Sequence, residues 1–115
     1  MSVELTDPED AKLLTLARAS RARGKSREGA AVRDSDGRTY SATNVDLPTL
    51  QLSALEVAVA MAISGGVKGL EAGLVVTDGL ALDDRDVAVV REFAGTDVTL
   101  YRADSDAQVL DVRTT

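Results

Sequence analysis

The chain has 115 residues, enough for one domain spanning 1–115 that buries roughly two-thirds of its unfolded surface and folds without a staple. It has no Cys and no His, which excludes disulfides, iron–sulfur clusters and thiolate zinc sites and removes the commonest general base and metal ligand. A formal net charge of -6, with Tyr40, Phe93 and Tyr101 as the aromatic residues, argues against non-specific nucleic-acid binding and against a base-stacking surface.

Thr6-Asp7-Pro8-Glu9-Asp10 opens a first helix: a capping residue, a proline near the first turn, then acids at the positive end of the dipole. Leu13, Leu16, Ala17 and Ser20 give it a one-sided stripe, and it should end near Arg23-Gly24. Arg18, Arg21, Arg23, Lys25 and Arg27 form a basic stretch in an acidic chain. Cations at a helix C-terminus followed by a solvated loop account for it; an anion- or RNA-binding patch is the other reading. Gly24-Lys25-Ser26 resembles the tail of a phosphate-binding loop, but it follows a helix and Ala19 stands where that motif needs glycine.

Ala30–Arg33 and Arg38–Ala42 flank Asp34-Ser35-Asp36-Gly37, a hairpin turn with glycine at the left-handed position. A calcium loop could open on the same residues, but its closing glutamate does not follow. A second helix is expected from Thr49 to Ser64, stopped by Gly65-Gly66. It is apolar almost all round, so one sheet cannot cover it, and a homo-oligomer, dimer or tetramer, is expected with this helix near the contact. Leu70–Thr77 reads as a central strand. Leu82-Asp83-Asp84-Arg85-Asp86 opens a third helix with Val87, Val90 and Ala94 inward, and strands follow at Val98–Tyr101 and Gln108–Val112. The order α-β-β-α-β-α-β-β predicts an α/β fold with helices on both faces of a mixed five-stranded sheet. No stretch resembles a signal peptide and no run reaches the ~18 apolar residues of a membrane span, so a cytoplasmic protein is expected.

Three stretches add to that order. Gly29-Ala30-Ala31-Val32 with Asp36-Gly37-Arg38, then Asn44-Val45-Asp46, then Ser53-Ala54-Leu55 followed by Ala58, Ala62, Ser64 and Gly66, resemble the hairpin, the Asn-Val-Glu segment and the second helix of the cytidine deaminase family. The resemblance runs from about Leu13 to Val112 and implies that family's three-layer α/β/α fold. It also implies a mechanism. Zinc is held by one Cys or His heading the second helix and by two Cys in a Pro-Cys-x-x-Cys turn heading the third; a Glu two residues after the first ligand moves the proton.

At those places this chain has Ser53 for the first ligand, Leu55 for the Glu, and Asp83 and Asp86 for the two Cys. A hydroxyl is a poor zinc ligand and leucine carries no proton. Glu56 lies about 100° further round the helix and is expected to point elsewhere. Without a metal, Asp83 and Asp86 would cap the third helix and Ser53 the second; an oxygen-ligand magnesium or calcium site is the rival reading. Asn44 and Asp46 read as turn residues before Pro48, while the resemblance implies a remnant contact to the sugar of a nucleoside. The loop at Lys25–Glu28 also lacks the aromatic that packs on the nucleoside in the family.

The resulting expectation is a non-catalytic relative of cytidine deaminase, without cofactor or metal, acting as an oligomeric interaction or structural protein. A nucleoside- or nucleotide-binding protein is the first alternative, and an active hydrolase the second.

Overall fold

The structure is a computed structural model and describes residues 2–115. Helix α1 (Pro8–Gly24) starts where Asp7 accepts the Glu9 N–H at 2.9 Å, and it stops at Lys25, whose left-handed φ of 50° turns the chain. Leu13, Ala17 and Ser20 of its expected stripe are buried and Leu16 is half-buried.

Strands β1 (Glu28–Asp34) and β2 (Thr39–Thr43) form the expected hairpin. Its turn is organised by Asp34, which is buried and accepts from the backbone N–H of Asp36 (2.8 Å) and Arg38 (2.9 Å) and from the Tyr40 hydroxyl (3.0 Å).

Next comes a difference from the expected order. Two short strands, β3 (Val45–Asp46) and β4 (Gln51–Leu52), pair with each other, and helix α2 (Ala54–Ser64) begins five residues later than Thr49. Leu50–Leu52 continue the apolar run, so periodicity alone extends the helix through them. The start is fixed by a capping box: Ser53 Oγ accepts the Glu56 N–H at 3.0 Å, and the Glu56 carboxylate accepts the Ser53 N–H at 2.8 Å.

Strand β5 (Leu70–Thr77), helix α3 (Asp84–Ala94) and strands β6 (Thr99–Ala103) and β7 (Val109–Thr114) complete the chain. The five-stranded sheet runs β2-β1-β5-β6-β7, with only β5 and β6 parallel, joined by the crossover through α3. Side chains alternate across it. Ala31, Leu74, Val76 and Ala103 meet Leu13 and Ala17 of α1 on one face. Ala30, Val32, Val75 and Leu100 meet α2 and α3 on the other. A sheet covered on both faces explains the nearly unbroken apolar reading of β5.

On α2, Ala54, Leu55, Ala58, Val59 and Ala62 are buried, but Met61 and Ile63 remain 44% and 48% exposed. The chain therefore covers one side of this helix and leaves apolar surface on the other. No helix among the described residues is long and apolar enough to cross a membrane.

Candidate functional site

The N-termini of α2 and α3 meet at the end of the sheet where Glu28 of β1 pairs with Thr77 of β5. There, Ser53 Oγ donates to Asp86 Oδ1 at 2.6 Å. Four side chains singled out in the sequence fall at this junction, each with a definite task. Ser53 caps α2 and ties it to α3. Asp83 caps α3, accepting the Arg85 N–H at 2.8 Å. Leu55 turns inward and is fully buried, its Cδ1 lying 3.5 Å from where a Cβ on Gly73 would sit, among Val32 and Leu100.

Asp86 departs from its expected part. It accepts no N–H of α3, because Asp83 alone supplies that cap, and its carboxylate instead crosses to Ser53. It is 4% exposed. Burial, assisted by the nearby Glu28, Asp83 and Glu56 carboxylates, pushes its pKa up to about 6 against the pull of the Ser53 hydrogen bond.

Two more residues complete the junction. Glu28 accepts the N–H of Ala54, the first residue of α2, at 3.2 Å, and its own N–H is taken by Asn44 Oδ1 at 3.1 Å. Glu56 does not point elsewhere. The capping box folds it back to Ser53, and its second oxygen accepts from Arg85 Nε at 2.9 Å. The Ser-x-x-Glu spacing of Ser53 and Glu56 was the signal that could have placed it.

Asn44 thus serves the β1 edge as a strand-end tie, whereas exposed Asp46 stands 4.0 Å from Arg27 at the mouth of a neighbouring recess of about 300 Å³. The structure does not bring Asn44 and Asp46 to one point with Asp86. A cleft of about 360 Å³ does remain beside the junction, and Arg27, Glu28, Val75, Leu82, Asp83 and Asp86 are among the residues that line it.

The raised pKa of Asp86 has a consequence for stability. A carboxyl whose folded pKa lies near 6, above its ordinary 3.8, contributes stability that is complete below the lower value and is lost as pH rises through the upper one. Asp86→Asn keeps an acceptor for Ser53 without the charge. It is expected to raise unfolding stability at pH 7.5 by up to about 3 kcal/mol, with most of the gain gone at pH 4. Urea denaturation at the two pH values checks this; equal gains at both would contradict it.

The sequence matches the family described as cytidine deaminase-like over residues 6–107. The chain belongs to the cytidine deaminase-like family. Among solved structures it is similar to the cytidine deaminase of Burkholderia pseudomallei, with a TM-score of 0.75 and 24% identity over 91% of this chain and 90% of that one. The cytidine deaminase of Mycobacterium leprae gives 0.71 and 24% identity, covering 94% of each chain. That of Mycobacterium tuberculosis gives 0.68 and 26%, covering 89% of each. No curated protein matches the chain. The sheet order and the helices on both faces are thus the family's fold.

The donor set does not fit the zinc that the family resemblance implies. Neither Cys nor His exists in the chain. Ser53 Oγ spends its proton on Asp86 and a lone pair on the Glu56 N–H, and Asp83 Oδ1 is held by the Arg85 N–H. Among the described residues, no three acids converge in a way that could hold one metal ion.

Proposed function

We propose that this chain is a cytidine deaminase-like protein that does not deaminate, and that it acts in the cytoplasm as a homo-oligomeric interaction or structural protein. The observation that carries this reading is the 2.6 Å hydrogen bond from Ser53 to Asp86. It joins the two helix ends at which the family's zinc would be gripped, with hard oxygens in place of thiolate or imidazole donors. Leu55, in the place of the proton carrier, faces the core and can exchange no proton with anything in the cleft. Protein purified without chelator is expected to carry zinc far below one ion per chain and to form no uridine from cytidine. Zinc near one per chain, with turnover, would overturn the reading.

The oligomer rests on the uncovered side of α2, where Met61 and Ile63 remain exposed, and on Leu47 and Leu50, which are 54% and 47% exposed in the preceding segment. Light scattering at micromolar concentration is expected to give a dimer or tetramer, and Met61→Glu with Ile63→Glu to dissociate it. A stable monomer in the parent chain contradicts this part.

A second reading is favoured by the open cleft: a small molecule, such as a nucleoside or nucleotide, binds there without turnover. Thermal shifts over a nucleoside panel test it. Stabilisation that weakens in Asp46→Ala would support sugar recognition in the adjoining recess.

A further inference from the structure

The geometry points to a small organic cation, an amidinium or ammonium on a flat apolar body, as the ligand of the cleft beside Ser53 and Asp86. This inference rests on the second reading above, that the cleft binds a small molecule, and specifies the chemistry of that ligand.

The wall of the cleft is short of donors. Glu28 spends one oxygen on the Ala54 N–H, Asp83 spends one on the Arg85 N–H, and Asp86 spends one on the Ser53 hydroxyl. No hydrogen bond among the described residues reaches the other oxygen of any of the three. Asp86 is the most telling. It is 96% removed from solvent, yet its side chain lines the cleft, and its Oδ2 has no hydrogen-bond partner among the described residues.

Arg85 gives its guanidinium to Glu56 at 2.9 Å and attracts Asp83 and Asp86 only through space, and the exposed Arg27 on the cleft lining makes no hydrogen bond to any of the three acids. A buried carboxylate with no hydrogen-bonded counter-ion and no second donor is costly. A ligand that is all donor and positively charged relieves that cost, whereas an anion compounds it.

Helix N-termini ordinarily favour anions. Here the N–H groups of Ala54, Glu56 and Arg85 are already taken by Glu28, Ser53 and Asp83. A single metal ion is also a poor occupant, since no three acids converge on one point among the described residues. A cation spread over several N–H groups can reach acceptors that stand apart. Exposed Ala81, with the edges of Val75 and Leu82, gives the cleft apolar atoms for its flat face.

Three isosteric probes separate the charges: benzamidine, benzamide and benzoate, each titrated at pH 7.5 by calorimetry and by thermal shift. Saturable binding is expected for benzamidine, at least about tenfold weaker binding for benzamide, and none for benzoate. Asp86→Asn is expected to weaken benzamidine about tenfold or more without equalising the other two probes, and Glu28→Gln to weaken it less. Should either variant fold poorly, the ranking of the three probes on the parent chain decides the matter alone. Benzoate or benzamide binding as well as benzamidine overturns the assignment. Binding of neutral nucleosides with no preference for benzamidine also overturns it, while leaving the small-molecule reading intact. Failure of every probe and nucleoside removes that reading with it.

Discussion

Gly29→Ala is expected to abolish cooperative folding or to lower stability by at least about 3–5 kcal/mol, a large share of the ~5–15 kcal/mol that holds a domain of this size together. A Cβ on Gly29 would collide with the Ala17 carbonyl oxygen and lie 2.9 Å from the backbone N and the Cβ of Arg21. The first two contacts are with the backbone of α1, so no rotamer change relieves them. β1 cannot yield either, because Gly29 is paired with Thr43 on one side and Val76 on the other. The helix lies this close to the strand because glycine lets the two backbones touch.

Gly37→Ala provides the contrast. Nothing lies within 4 Å of its Cβ position, and only its φ of +86° resists substitution, so about 1–2 kcal/mol is expected there. Urea denaturation followed by circular dichroism distinguishes the two. A Gly29→Ala chain within 1 kcal/mol of the parent would mean that α1 does not sit on β1 at this spacing.

Most of this architecture was legible in local chemistry. Asp7 before Pro8, Asp34 to Gly37 between two strands, and Asp83 ahead of Val87 each specify a terminus or turn through hydrogen bonds made within a few residues, and the structure makes those bonds. What periodicity could not supply was the start of α2. Leu50 and Leu52 read as helix because apolar character is all a helical window sees, yet Gln51 and Leu52 spend their backbone groups on Asp46 and Val45.

The site divides in the same way. The caps made by Ser53 and Asp83 are local, and the structure makes both. Asp86 and Glu28 act across the fold, over separations of 33 and 26 residues, and nothing in their own neighbourhoods announces the partner. Asp86 stands three residues after a capping Asp83, the position from which an acid usually reaches back to its own helix; packing of α3 against α2 turns it across to Ser53 instead.

That packing also decides whether the lost proton carrier could be restored by a single change. Leu55→Glu returns a carboxyl to position 55, but the side chain there has zero exposure and lies among Val32, Leu100 and Gly73. An ionised carboxylate in that setting has no donor, so the folded chain either keeps the group protonated or unfolds to hydrate it. Burial raises the folded pKa above the unfolded value; the neutral form is tolerated below the unfolded pKa, and stability falls as pH rises toward the folded one. Leu55→Glu is therefore expected to cost several kcal/mol at pH 7.5, on the order of the 2–5 kcal/mol lost when a buried leucine is truncated to alanine, and clearly less at pH 4.5. Leu55→Ala, measured beside it, should lose a similar amount at both pH values. No deamination should appear in either variant. If Leu55→Glu proved as stable at pH 7.5 as at pH 4.5, its carboxyl would have to reach solvent, and the cleft beside the α2–α3 junction would be the place to look for it. Position 55 would then still open on the site, and the fold would have kept the place of an acid whose side chain the sequence has replaced.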